Sequence, residues 1–384
     1  MIKENNFDDI RPYMDAEIPA AMNRIATSSF LPILAGYVFP DKTLDEVRQM
    51  VSGFKTVKDF QLGVMYYANK EIIRKSITEL TVSGIELLNP NEAYLFISNH
   101  RDIMLDASLL QNILVDNGFD TTEITFGANL MMNQLVVDIG KSNKMFRVER
   151  PTGNMKDFYN SSKHLSDYLR HTICDNKHSV WIAQRNGRTK DGNDKTDQGI
   201  IKMFAMSEAD NKIRAIDQLH LVPVSVSYEW ESCDILKALE LYESLYTMDQ
   251  TGVPTKYTKK PGEDLNSILT GIAQQKGRVH FEICKPIEKM ELMQFEIMTK
   301  SDYHKAVAQL VDKRIIPAYR LFPNNYIAYD ILYGCTSYSH EYTPSEKEAF
   351  MNYMQNLEMY DSCDTEKLKD LFLRIYANPV INKD

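Results

Sequence analysis

At 384 residues, 43% of them hydrophobic, the chain can bury a large core, which excludes disordered and fibrous classes and leaves room for one large domain with extensions or for two domains. The formal net charge of -9 excludes a nucleic-acid binder held by bulk electrostatics, because neutralising phosphates needs a concentrated basic surface. The five cysteines (Cys174, Cys233, Cys284, Cys335 and Cys363) form no Cys-x-x-Cys pair, so no disulfide framework or zinc site is predicted, and a reducing cytoplasm is the expected compartment.

The chain opens on a polar, acidic run without the basic and then apolar pattern of a secretory signal, so the protein is expected to stay inside. Residues 1–75 are predicted to be helical: Ile18, Ala21, Met22, Ile25 and Ala26 recur at helical spacing, as do Val47, Met50, Val51 and Phe54. Such stripes serve either to pack a bundle on a catalytic core or, through the run FLPILAGYVF at 30–39, to touch a membrane. That run is shorter than the roughly 20 apolar residues a spanning helix needs, and it contains Pro32, so no transmembrane span is predicted.

Over residues 76–290 short apolar, β-rich runs (80–88, 94–98, 123–126, 145–148, 179–183, 221–228 and 278–284) alternate with helical stretches, notably 104–117 and 154–174. Strands alternating with crossover helices predict an α/β fold with a mostly parallel central sheet flanked by helices, in which reactive residues gather on loops at strand ends. Residues 291–384 return to a helical pattern, with candidates at 303–321, 345–357 and 365–377, and are expected to form a helical extension.

The chemistry-bearing residues fall just after the predicted strands. The strand YLFIS runs into Asn99, His100, Arg101 and Asp102, with Asp106 further along at a helix start. A neutral imidazole whose second nitrogen is held by a carboxylate can take the proton of a hydroxyl as it attacks a thioester. The plainer alternative is that Asp102 or Asp106 caps the helix and His100 is only a polar turn residue.

The run KMFRVERP (144–151) ends a strand with Arg147 and Arg150, whose planar guanidinium groups suit bidentate binding of phosphate or pairing with a carboxylate such as Glu149. After the strand SVWIA comes a loop rich in glycine and cations, containing Arg185, Gly187, Arg188 and Thr189, which can cradle an anion. The run HLVPVSVSYE (220–229) is a buried strand carrying Pro223. The remaining histidines lack partners at metal-ligand spacing, and no Gly-x-Ser-x-Gly elbow is present.

In order, over residues 95–229, these four runs resemble the motifs of glycerol-3-phosphate and 1-acylglycerol-3-phosphate acyltransferases. The resemblance implies His100 as general base with Asp106 as its orienting acid. Here Asp106 follows His100 across five residues, one more than the family's four, so Asp102 stays open as cap or substitute partner.

It further implies that Arg150, with Arg147 in the same run, faces the acceptor's phosphate. Arg188 and Thr189 match the arginine and serine of the third motif, Gly187 lets the backbone approach, and Pro223 borders the acyl site. Arg185 falls where the family has a glutamate, which opens the acceptor's identity.

The reaction so implied moves a fatty acyl group from acyl carrier protein or coenzyme A to an acceptor hydroxyl in membrane lipid synthesis, with no metal or cofactor, by peripheral contact with the inner face of the membrane. A monoacylated amino-acid lipid as acceptor, or a non-catalytic lipid-binding protein, are the alternatives.

Overall fold

The computed structural model describes residues 6–149, 154–247 and 257–383. Its centre is a single sheet of seven strands: β1 (Ile77–Ser83), β2 (Leu95–Ser98), β3 (Glu123–Gly127), β4 (Met145–Val148), β5 (Val180–Ala183), β6 (Leu221–Tyr228) and β7 (Gly277–Ile283). They lie in the order β1-β7-β6-β2-β5-β3-β4. All neighbours are parallel except β6 with β7, so the fold is α/β with a mostly parallel sheet, as the alternation of runs predicts.

Every predicted strand is present, but the first is displaced toward the N-terminus, ending at Ser83 instead of continuing to residue 88. The cause is Gly84, which takes a left-handed φ of 77° and passes so close to β7 that a Cβ would stand 2.0 Å from the Ile283 carbonyl oxygen. The chain then turns into the short helical segment Ile85–Leu87.

Side chains alternate across the central strands and build two cores. Leu95 and Ile97 of β2 and Val180 and Ile182 of β5 face Leu165, Leu169, Tyr303, Val307 and Ile315. On the opposite face Phe96 and Trp181 meet Leu105, Leu109 and Ile113. Because β2 is covered on both faces, all four of its residues are buried, and it reads as an unbroken apolar run. Each fully buried Leu or Ile contributes about 1.5–3 kcal/mol, which makes this strand a rigid base for whatever follows it.

The N-terminal helices Ile18–Ala26, Leu31–Val38, Leu44–Gly53 and Tyr66–Ser76 carry the predicted stripes. Ile18, Met22, Val47 and Phe60 form a separate core that takes in Leu135 and Ile139. A bidentate pair from Arg24 to the buried Asp138 (2.7 and 2.8 Å) fastens this bundle to the α/β core. No described helix is long and apolar enough to cross a membrane.

Helix Lys300–Ala318 lies against the sheet, whereas Asp234–Tyr246, Pro323–Tyr333, Pro344–Met354 and Thr365–Lys383 share a further core around Phe350, Phe372 and Tyr376. The Pro-Asn run at 323–325 starts a helix instead of breaking one, because proline at the first helical position gives up no intrahelical hydrogen bond.

Candidate active site

β2, β5 and β6 run parallel side by side, so the turns after them meet at one edge of the sheet. His100 stands two residues beyond the end of β2. Its Nδ1–H donates to Asp106 Oδ2 at 2.9 Å, the carboxylate being fully enclosed while 13% of the imidazole remains exposed. With Nδ1 engaged by a group that can only accept, the lone pair lies on Nε2.

Asp106 is held in turn by three further donors: the backbone N–H groups of Arg101 (2.7 Å) and Asp102 (2.9 Å), and the buried Tyr228 hydroxyl (2.9 Å) at the end of β6. Burial, and then the charge of Asp106, push the Tyr228 phenol far above its usual range, so it stays a donor.

Asp102 does something different. Its Oδ1 accepts the N–H groups of Met104 (2.8 Å) and Leu105 (2.7 Å) at the start of helix Leu105–Asp116, and its Oδ2 accepts from Ser232. Of the two acids left open by the sequence, Asp106 pairs with the imidazole and Asp102 caps the helix. The extra residue between His100 and Asp106 is absorbed in the turn, where both backbone N–H groups fold onto the same carboxylate oxygen.

Beneath the turn lies a buried ionic group. Arg101, fully enclosed, binds Asp194 (2.5 Å) and Glu231 (3.3 Å) and stacks on Tyr319 with its guanidinium carbon 4.7 Å from the ring centre. Lys237 donates to the Arg101 carbonyl oxygen (2.6 Å) and to Glu231 (2.5 Å). Burial opposes charge on Arg101, but the neighbouring carboxylates more than offset it and keep the guanidinium protonated. Two cations balance two carboxylates, which is the condition under which such a group survives burial.

The loop after β5 is tied to the same turn: the Thr189 N–H donates to the His100 carbonyl oxygen at 2.8 Å. Gly187 takes a φ of 74°, which places the loop's apex in the left-handed region. Arg188 is almost fully buried and donates to Ser267 Oγ (2.8 Å), yet its Nε and Nη1 meet no acceptor and no carboxylate pairs with it among the described residues. Lys190 touches Glu240 and is pushed down to about 7 by burial and by the charge of Arg188. Arg185, nearer the strand, bonds only weakly to the Asn193 carbonyl oxygen (3.4 Å).

One expected contributor stands apart. Arg147, on the edge strand β4, pairs with Glu149 at 2.6 Å and is largely exposed. Arg150 lies outside the described residues. Pro223 is paired within the sheet opposite Ile97 of β2, and its carbonyl oxygen accepts the Cys284 N–H (2.9 Å) just past the end of β7, so it supports the strand that carries His100. No motif assigns a role to Tyr228, Asp194, Glu231, Lys237 or Ser267. Tyr228 was visible as a polar tip ending an apolar strand, but the others come from segments with no motif of their own.

Residues 79–227 match the family model described as Acyltransferase, a span that runs from within β1 to within β6, stopping one residue short of Tyr228, and takes in the His100 turn and the loop after β5. This part of the α/β core is thus similar to acyltransferase domains. No curated protein matches the chain. Among solved structures, the 1-acyl-sn-glycerophosphate (LPA) acyltransferase PlsC from Thermotoga maritima is similar at 13% identity, with 78% of this chain and 94% of that chain covered and a TM-score of 0.35, a likeness too loose for transferring residues.

Proposed function

We propose that the protein transfers a fatty acyl group from a thioester, on acyl carrier protein or coenzyme A, to the hydroxyl of a glycerol-phosphate or lysophosphatidate-type acceptor, with His100 as general base. The observation that carries this reading is the pair His100–Asp106 at 2.9 Å, with an enclosed carboxylate behind and the imidazole edge open in front. The acceptor's proton passes to Nε2 as its oxygen attacks the thioester carbon. Collapse of the tetrahedral intermediate breaks the C–S bond, and the departing thiolate takes that proton from the imidazolium and leaves as the thiol. Asp106 holds the ring in the productive tautomer and stabilises the imidazolium formed on the way.

Arg188 supports a phosphate-bearing acceptor, because a buried guanidinium with two nitrogens unpartnered is costly unless an anion completes it. Peripheral membrane contact, which the substrates call for, is supported by helix Leu31–Val38 and its N-cap, where Ile33 and Phe30 are 69% and 57% exposed.

The test is transfer of labelled palmitoyl from acyl carrier protein and from coenzyme A to glycerol phosphate, lysophosphatidate and an N-acyl amino acid, with wild type and His100→Ala side by side. Product on the phosphate acceptors that disappears in the variant supports the reading. Product confined to the N-acyl amino acid would replace the acceptor, and equal product from both proteins would remove His100 from the chemistry.

A further inference from the structure

A cavity of about 570 Å³ opens between the loop that follows β5 and helix Lys300–Ala318. None of His100, Asp106 and Arg188 borders it, so it is distinct from the catalytic turn. Three cations line it: Arg185, Lys195 and Lys305, none of which forms an ion pair among the described residues. The two acids present are already engaged by the fold. Asp197 accepts the Gly199 N–H (2.8 Å), and Asp312 accepts the Thr196 N–H (2.8 Å) and hydroxyl (2.6 Å). The amides of Asn186 and Gln309 add neutral hydrogen-bonding groups, and Ala308 is the single apolar contributor.

The three cation heads around this lining suit an anion, while the aliphatic stems that carry them leave room for a slender chain attached to it. It also accounts for Arg185, the residue that departs from the third motif of the family: its charge belongs to this cavity. The cavity is close enough to matter for the reaction. Arg185 and Thr189 are four residues apart, a span of at most about 14 Å, and the Thr189 N–H is bonded to the His100 carbonyl oxygen at 2.8 Å.

We propose that this cavity holds the phosphate end of the acyl donor's phosphopantetheine arm, leaving the thioester end to reach His100. The assignment rests on thioester-dependent acyl transfer as the protein's activity and names where the donor is gripped. The phosphopantetheine phosphate is common to coenzyme A and acyl carrier protein, so the cavity serves either. Attraction of this kind, at a partly open site, weakens as salt rises.

The experiment is calorimetric titration of the full chain with 4′-phosphopantetheine and with coenzyme A, in wild type, Arg185→Gln and Lys305→Gln, alongside steady-state kinetics with varied donor and varied acceptor. Each substitution removes a charge-assisted contact, so the Kd for phosphopantetheine and the KM for donor are expected to rise about tenfold or more, while the acceptor KM stays within about twofold.

A matching rise with acyl carrier protein as donor shows that the shared phosphate is what is held. Weaker coenzyme A binding with unchanged phosphopantetheine binding would put the nucleotide in the cavity and overturn the assignment. Unchanged donor constants with a raised acceptor KM would make it an acceptor site and overturn it equally. If no acyl transfer is found but phosphopantetheine still binds through Arg185 and Lys305, the proposed function fails and with it the cavity's role as a grip on an acyl donor, leaving a phosphopantetheine-binding site alone.

Discussion

The turn after β2 and the loop after β5 meet at the same edge of the sheet, yet they treat their polar groups in opposite ways. Around His100 the fold supplies the partners: Asp106 takes four hydrogen bonds, Asp102 caps a helix, and Arg101 sits between two carboxylates. Around Arg188 it withholds them, leaving two guanidinium nitrogens without acceptors among the described residues. Under the proposed function the contrast has a reason: a group that performs the same proton transfer at every turnover is best fixed by the protein itself, whereas a group that grips a passing anion is best left incomplete until the anion arrives.

The widest contrast between the two regions is drawn by substituting their central residues. Asp106→Asn keeps the shape but disrupts the tautomer of His100, and kcat is expected to fall about 10²–10⁴-fold at unchanged acceptor KM, read by steady-state kinetics. Arg188→Gln is expected to raise the acceptor KM about 10–100-fold for phosphate-bearing acceptors alone. Because it removes a buried, uncompensated cation, it should leave the melting temperature the same or higher. A lower melting temperature would show that the wild-type guanidinium is satisfied by the fold and would erase the contrast.

Lys190 sharpens the same point through pH. Its ammonium, disfavoured by burial and by Arg188 and supported by Glu240 with Lys259 opposing, is lowered to about 7. A lowered Lys is charged below that value and neutral above it, so phosphate affinity should weaken as pH rises through 7. The acceptor KM is then expected to climb about tenfold between pH 6 and 8 in wild type and to fall in Lys190→Met, where the acceptor's phosphate alone titrates. The acceptor's own phosphate gains charge as pH rises past about 6, which acts in the opposite direction, so the sign of the change identifies the lysine. The smallest effect is expected from Tyr228→Phe, which takes one of four donors from Asp106 and should lower kcat about 2–10-fold, corresponding to about 0.5–1.5 kcal/mol.

These regions were not equally legible in the sequence. The strands, their mostly parallel arrangement and the position of His100 at a strand end follow from apolar runs and their spacing, which are local signals. The partnership of His100 with Asp106 was favoured through resemblance, but the choice over Asp102 depends on how the turn folds two N–H groups back onto one oxygen, which spacing cannot encode. Asp194, Glu231, Lys237 and Ser267 reach the site from separate segments, Ser267 from a helix that no motif marks. Arg147 shows the other limit: its type and place in a run suggest phosphate binding, but the sequence does not reveal that β4 lies at the sheet's edge or that Glu149 pairs with it there.

The most direct measurement compares acyl transfer to paired acceptors with and without a phosphate group in wild type, His100→Ala and Arg188→Gln. The account predicts that His100→Ala abolishes transfer to both acceptors and that Arg188→Gln impairs the phosphate-bearing one alone. Transfer by His100→Ala at the wild-type rate would contradict it.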